Sequence, residues 1–294
     1  MFPKAWSICV LLGGAVSFGF AADVPQPADK LTAAETVERN VVARGGLRAW
    51  RDVQTMSLTG KLTAGGNQRA TIATTARRPG QATLSPRPAE EVQLPFVMEL
   101  KRPRKMRFEL RFNGQTAVQI YDGQNGWKLR PYLNRTTAEP YTDEELKISA
   151  LQADLDGPLI DYAQKGTSIA LDGQEKVEGR DTYKLKVAMK NGHVLHVWID
   201  AQTFLEAKIE GAPRRLDGVP HPVEIYFRDY RAVDGLQIPF ALETRVLPVP
   251  QIGRGSKVPL IPSERTTIEK VEINPKLAEA EFAKPEVQVA SVTR

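Results

Sequence analysis

The chain has 294 residues, 41% of them hydrophobic and 26% charged, which is enough for one large β domain with its own core. Its formal charge is +5, and the lysines and arginines are spread among acidic residues, so the composition argues against a nucleic-acid-binding protein. After the first residues, no segment approaches the roughly 18 consecutive apolar residues that indicate a transmembrane helix.

The first 21 residues have the features of a cleavable signal peptide. Lys4 gives a positive start, Ile8–Phe18 forms a short apolar run, and Gly19–Ala21 places small residues where a signal peptidase cuts. We therefore predict a mature chain that begins at Ala22. Cys9 is the single cysteine and lies inside this segment without a lipobox before it, so we expect a mature protein without a disulfide or a lipid anchor.

The first helix is predicted at a capping box. In Thr32–Glu35, the threonine hydroxyl and the glutamate carboxylate can each accept a hydrogen bond from a free backbone N–H. Val37, Val41 and Val42 follow at helical spacing, and Gly45-Gly46 ends the run.

A second capping box, Thr142–Glu145, predicts a helix in the middle of the chain, with acidic residues at its positive end. Gly157-Pro158 ends this helix, and a short helical continuation is expected at Leu159–Gln164. The predicted apolar stripe consists of Leu146, Leu151 and Leu155.

From Thr55 on, apolar and polar residues alternate, which is typical of half-buried strands. The alternating apolar sets are Met56/Leu58, Phe96/Met98/Leu100, Met106/Phe108/Leu110/Phe112 and Tyr183/Leu185/Val187/Met189. Further strands are expected at Gln115–Tyr121, Gly126–Arg130, Thr167–Leu171, Val194–Asp200, Phe204–Glu210, Val223–Tyr230, Leu236–Val246 and Glu264–Ile273. Asp-Gly and Asn-Gly turns between them favour antiparallel hairpins. Two stretches, Arg77–Glu91 and Pro248–Pro262, are expected to be loop-like insertions.

The order of these elements, together with several local phrases, resembles the LolA/LolB-like superfamily, especially its outer-membrane lipoprotein-sorting-protein branch. The phrases are Ala43–Leu47, Thr59–Lys61, Lys105–Glu109, Ala117–Gly123 with Gly126-Trp127, Asp156–Leu159, Tyr183–Lys186, Phe227–Tyr230 with Asp234-Gly235 and Pro239, and Asn274–Phe282. The resemblance covers nearly all of the mature chain. It implies a mainly β fold, a strongly curved antiparallel sheet that forms an incomplete barrel with covering helices. It also implies one half-barrel domain over residues 22–294, with a helical lid around 142–164.

The resemblance further implies an apolar concave face that binds lipid or lipoprotein acyl chains. The residues expected there are Met56, Leu58, Phe96, Met98, Leu100, Met106, Phe108, Leu110, Leu185 and Met189. Leu146, Leu151 and Leu155 are the expected lid residues. Such carriers latch the lid with an arginine, which the sequence does not assign to Arg44 or to Arg107. Apolar alternation is also what an ordinary filled β core produces, so that interpretation stays open.

Chemical alternatives receive little support. His193 and His196 should point to opposite faces of a strand, and His221 between two prolines is expected in a turn, so no metal site converges. Asp154, Asp156 and Asp161 lack the remaining ligands of a calcium loop, and we interpret them as solvent-near residues at a helix end. No nucleophile and base pair can be nominated. We therefore expect no catalysis, no cofactor and no metal.

Two functions remain. The first is a periplasmic carrier or chaperone for lipid or lipoprotein acyl chains. The second is an envelope interaction or stress-sensor module that docks a protein partner on the same fold. In either case partners in the outer or inner membrane are expected, and nucleic acid is not.

Overall fold

The computed structural model describes residues 31–64, 92–216, 218–249 and 261–285. The predicted signal peptide and the insertion at 77–91 lie outside the described residues. So does the insertion at 248–262, apart from its ends.

Three α-helices are described: α1 (Ala33–Ala43), α2 (Leu47–Asp52) and α3 (Asp143–Gln152). Both predicted capping boxes are confirmed, because Thr32 and Glu35 at α1, and Thr142 and Glu145 at α3, each make the two reciprocal bonds. Short 3-10 helices lie at Pro131–Leu133 and Glu279–Phe282. None of the described helices has the length and apolar character that crossing a membrane requires.

The described residues contain thirteen strands in one sheet. They are β1 (Thr55–Ala64), β2 (Val92–Lys101), β3 (Lys105–Phe112), β4 (Gln115–Tyr121), β5 (Gly126–Arg130), β6 (Arg135–Pro140), β7 (Ser168–Val177), β8 (Arg180–Ala188), β9 (Val194–Asp200), β10 (Glu206–Leu216), β11 (Val219–Val233), β12 (Leu236–Val246) and β13 (Glu264–Ile273). The alternation predicted all of them except β6. His221 lies in β11 and is buried, so the expected turn at this residue was wrong.

The strand order is β6-β5-β4-β3-β2-β1-β13-β12-β11-β10-β9-β8-β7, and neighbouring strands pair antiparallel. β6 and β7 therefore form two open edges, and the sheet is an incomplete barrel, as predicted. Because β6 and β7 follow each other in the chain but lie at opposite edges, the connection between them must cross the sheet. α3 and the turns after it form this crossing.

The turns after α3 differ from the prediction. Leu159–Gln164 forms successive turns and no helix. Asp161 adopts a left-handed backbone conformation (φ 52°), which interrupts a right-handed helix.

Two glycines have structural roles in the phrases Ala43–Leu47 and Thr59–Lys61. Gly45 has φ +113°, and a side chain there would collide with the carbonyl of Gly235, so the end of α1 can lie directly on the β11–β12 turn. Gly60 lies at a register shift in β1, where a side chain would collide with the Thr267 carbonyl of β13.

Candidate functional site

Most of the predicted ligand-binding residues lie together on the helix-covered face of β1, β2 and β3. The strand register places these side chains in cross-strand rows, and a row occurs at every second residue along each strand. The rows are Met56–Leu100–Met106, Leu58–Met98–Phe108 and Gly60–Phe96–Leu110. These side chains form one hydrophobic cluster. α2 and the residue after it contribute Trp50 and Val53, and the segment after α3 contributes Leu155 and Ile160.

The side chains in these rows are covered to different degrees, and Leu58 and Phe96 are buried at 9% and 6% exposure. Met56, Leu100 and Met106 are at most 6% exposed. Further along the strands Met98, Phe108 and Leu110 are only half-buried, and at the rim Phe112 is 36% exposed. We call the less covered set the concave strip, which consists of Leu62, Leu94, Met98, Phe108, Leu110 and Phe112.

Leu185 and Met189 do not join this cluster. Leu185 is fully buried in a second cluster under α1, together with Val37, Val187 and Val197, and Met189 packs against that cluster. The structure therefore separates these two residues from the rest of the predicted set.

The predicted lid residues are also divided. Leu155 is buried in the first cluster and Leu146 packs against it. Leu151 is half-buried and instead lines a small cavity together with Met189.

A network of ion pairs fixes the segment that follows α3. The Asp156 side chain is 2% exposed, with one carboxylate oxygen 2.6 Å from Nη2 of Arg102 and the other 2.5 Å from Nζ of Lys165. Lys165 also contacts both carboxylate oxygens of Asp154 at 2.9 Å. The expectation that these aspartates lie near solvent was wrong, because Arg102 and Lys165 pair with them in the interior.

The two aspartates respond differently to this environment. Burial raises the pKa of Asp156, but hydrogen bonds from Lys165 and Arg102 outweigh burial and hold the pKa below its usual value. At Asp154, burial outweighs the Lys165 contact and raises the pKa. Asp156 is therefore the charged anchor of the network.

Two further arginines contact the same segment. Nη1 of Arg44 lies 3.0 Å from the backbone oxygen of Asp156 and 3.2 Å from Glu206, and its guanidinium covers the Trp50 ring at 4.2 Å. Arg51 pairs with Asp161 at 2.5 and 2.8 Å. Arg44 thus contacts the segment after α3 directly, and the sequence assigned no role to this arginine.

Arg107 lies elsewhere, on the opposite face of the sheet. Its Nη1 donates to the backbone oxygen of Glu281, and Nζ of Lys101 donates to that of Leu277 at 2.8 Å. The segment Asn274–Ala283 therefore lies across the outer face of β2 and β3. Arg107 binds this segment, and it does not contact α3.

We call β7–β12 the second half of the sheet. On its outer face, cationic side chains, aromatic rings and carboxylates alternate. Lys208 is 7% exposed, with its ammonium 3.8 Å from the Trp198 ring centroid and 2.8 Å from Glu224. His196 on the same face lies between Asp172 and Glu210. In the described part of the chain, no three histidine, cysteine or acidic residues are arranged to hold a metal ion.

Comparison with known proteins identifies the fold. No family model and no curated protein matches the sequence. A solved structure of a LolA superfamily protein from Nitrosomonas europaea is similar, with 12% identity and a TM-score of 0.50, over 87% of this chain and 99% of that one. A Vibrio parahaemolyticus domain named for outer membrane lipoprotein sorting is similar at 13% identity and a TM-score of 0.50, over 86% and 96%. The chain has the LolA-like fold.

Proposed function

We propose that this protein is a periplasmic carrier or chaperone that holds an acyl chain of a lipid or lipoprotein on its concave strip and does no chemistry on it. The concave strip carries the proposal. Contiguous half-exposed apolar side chains on a curved sheet are costly in water, and an acyl chain would cover them without needing a polar partner.

The similar structures support the same ligand class. One is named for outer membrane lipoprotein sorting, and the other is named as a LolA superfamily protein. Met98 and Phe108 suit such a ligand, because a thioether chain and a ring on a half-open surface can adapt to chains of different shape.

The α3 crossing would act as the lid. Leu146 packs on the first cluster, while Arg44, Arg51 and Arg102 hold the segment that follows the helix. An acyl chain that entered deeper than the strip would displace Leu146 and Leu155 while these arginines keep the connection in place.

The direct test is the binding of a fluorescent fatty acid by protein purified without detergent. The unmutated protein should bind it, and Phe108→Glu should abolish binding by placing a charge on the strip. Val194→Glu is the matched control, because Val194 is an exposed apolar residue, 45% accessible, at the start of β9. Binding that is equal in both variants would contradict the strip as the site.

Leu146→Asp tests the lid, because Leu146 packs on the first cluster whereas Leu151 lines a separate cavity. In a carrier this exchange should cost little stability and abolish fatty-acid binding, whereas in a filled core it should cost several kcal/mol. Strong destabilisation, with no fatty-acid binding by the unmutated protein, would favour an envelope interaction module instead. Native mass spectrometry of periplasmic protein separates these outcomes further, since a co-purifying lipid supports the carrier and an empty chain with a stable protein partner supports the module.

A further inference from the structure

A cavity of about 230 Å³ lies where the end of α3 meets both halves of the sheet. α3 contributes Leu151, the β2–β3 turn contributes Arg104, and the β8–β9 turn contributes Lys190. The segment between α3 and β7 completes the lining with Lys165 and Thr167. Four separate parts of the chain therefore converge on one small space.

The lining is amphipathic. Leu151, Met189 and Pro158 form an apolar side, and the hydroxyl and amide of Thr167 and Asn191 are among the polar groups. A ligand that fits this lining has a polar end and an apolar part next to it.

The charge in the cavity is positive. The ammonium group of Lys165 donates hydrogen bonds to Asp154, Asp156 and the Gly157 carbonyl. The charges of this lysine and Asp154 therefore largely neutralise each other. Arg104 and Lys190 remain, and no carboxylate of the described residues lies within 4.0 Å of either cationic group.

Lys190 is held beside the cavity by its stem. Gly166 has φ +71°, and even a methyl group there would lie 3.2 Å from the Lys190 side chain. The stem thus rests against bare backbone. The rest of the Lys190 side chain is exposed, so its ammonium group can reach a ligand.

We propose that this cavity binds a phosphate monoester headgroup of a lipid, with Arg104 and Lys190 on the phosphate and Leu151 and Met189 against the start of the chain. A phosphate oxygen accepts hydrogen bonds from both cations, and charge-assisted bonds of this kind are the strong ones. This proposal rests on the proposed function and narrows its ligand class. Because Leu151 belongs to α3, a bound headgroup would also link the lid to both halves of the sheet.

The test compares three probes by titration calorimetry: a lysophosphatidic acid, the monoacylglycerol with the same chain, and inorganic phosphate. The unmutated protein should bind the lysophosphatidic acid roughly tenfold more tightly than the monoacylglycerol, the factor that about one charge-assisted bond supplies. Arg104→Gln/Lys190→Gln should remove this difference and leave monoacylglycerol binding unchanged. Arg48→Gln/Lys147→Gln, which removes the same charge from exposed positions outside the cavity, should retain it.

The other results distinguish this proposal from the carrier itself. If both lipids bind the unmutated protein equally, and Arg104→Gln/Lys190→Gln does not change their affinity, the headgroup site is overturned. The carrier proposal is not affected by that result. Inorganic phosphate that binds as tightly as the lysophosphatidic acid means a free-anion site and overturns a lipid headgroup. Failure of both lipids to bind the unmutated protein overturns the carrier and this proposal together.

Discussion

The two halves of the sheet use the same alternation but are covered to different depths. Under α1, Leu185, Val187, Val197 and Ile199 are fully buried. On β2 and β3, Met98, Phe108 and Leu110 occupy equivalent inward positions and remain half-buried. One half of the sheet is thus an ordinary core, and the other keeps apolar surface that a ligand could cover.

The covering helices account for this difference. α1 buries Thr36, Val37 and Asn40, and Nδ2 of Asn40 donates to the Phe204 carbonyl at 2.8 Å. α3 buries only Ser149 of its own residues. α3 is therefore held mainly by the ion pairs of the segment after it, whereas α1 is held by its own buried side chains.

The largest effect is expected for Leu185→Ala, which removes buried apolar volume under α1. We expect a loss of about 2–5 kcal/mol in the free energy of unfolding, measured by urea denaturation. Fatty-acid affinity should stay unchanged at temperatures where the variant is folded. A loss below about 1 kcal/mol would mean that this half is not a filled core.

Asp156→Asn should cost about 2 kcal/mol, because it removes the charged acceptor of Arg102 and Lys165 while keeping the side-chain shape. Hydrogen exchange should show faster opening of α3 than of α1. Equal acceleration in both helices would show that the ion-pair network does not stabilise α3 in particular.

Leu110→Ala is the matched leucine exchange on the other half. It should cost only about 1 kcal/mol, because its side chain is half-buried in the folded state. It should weaken fatty-acid binding several-fold, the opposite pattern to Leu185→Ala. A stability loss as large as that of Leu185→Ala would remove the contrast between the halves.

The smallest effect concerns acid stability on the outer face of the second half. Hydrogen bonds from Arg245 and Arg228 lower the pKa of Glu243 to about 2, although partial burial opposes them. Because the folded pKa lies below the unfolded one, this stabilisation is present above about pH 4.5 and is lost as the pH falls toward 2. Glu243→Gln should reduce the acid-induced loss by about 1 kcal/mol or less after solvent screening. Chemical denaturation across this pH range measures the difference.

Local sequence patterns predicted the sheet well. The bounds of β4, β5, β9, β12 and β13 match the prediction, since alternation and Asp-Gly or Asn-Gly turns are local signals. β6 was missed because Arg135–Pro140 lacks alternating large apolar residues, and it is paired along one edge only.

The site was predictable only in part. Alternation predicted which side chains face inward, but not which would be fully covered, because that depends on where α1 and α3 lie. Leu185 and Met98 look alike in sequence for this reason. The Arg102–Asp156 pair joins residues 54 positions apart, and no local pattern connects them.

Photo-crosslinking with a diazirine-labelled fatty acid, followed by peptide mass spectrometry, tests the central claim most directly. We predict specific labels, competed by unlabelled fatty acid, on peptides that contain Leu94–Phe112, and none on Leu195–Ile199, which lies in the filled core under α1. Two results would contradict an acyl-chain site on the concave strip. One is specific labelling of the core under α1, and the other is labelling of the strip that unlabelled fatty acid does not compete away.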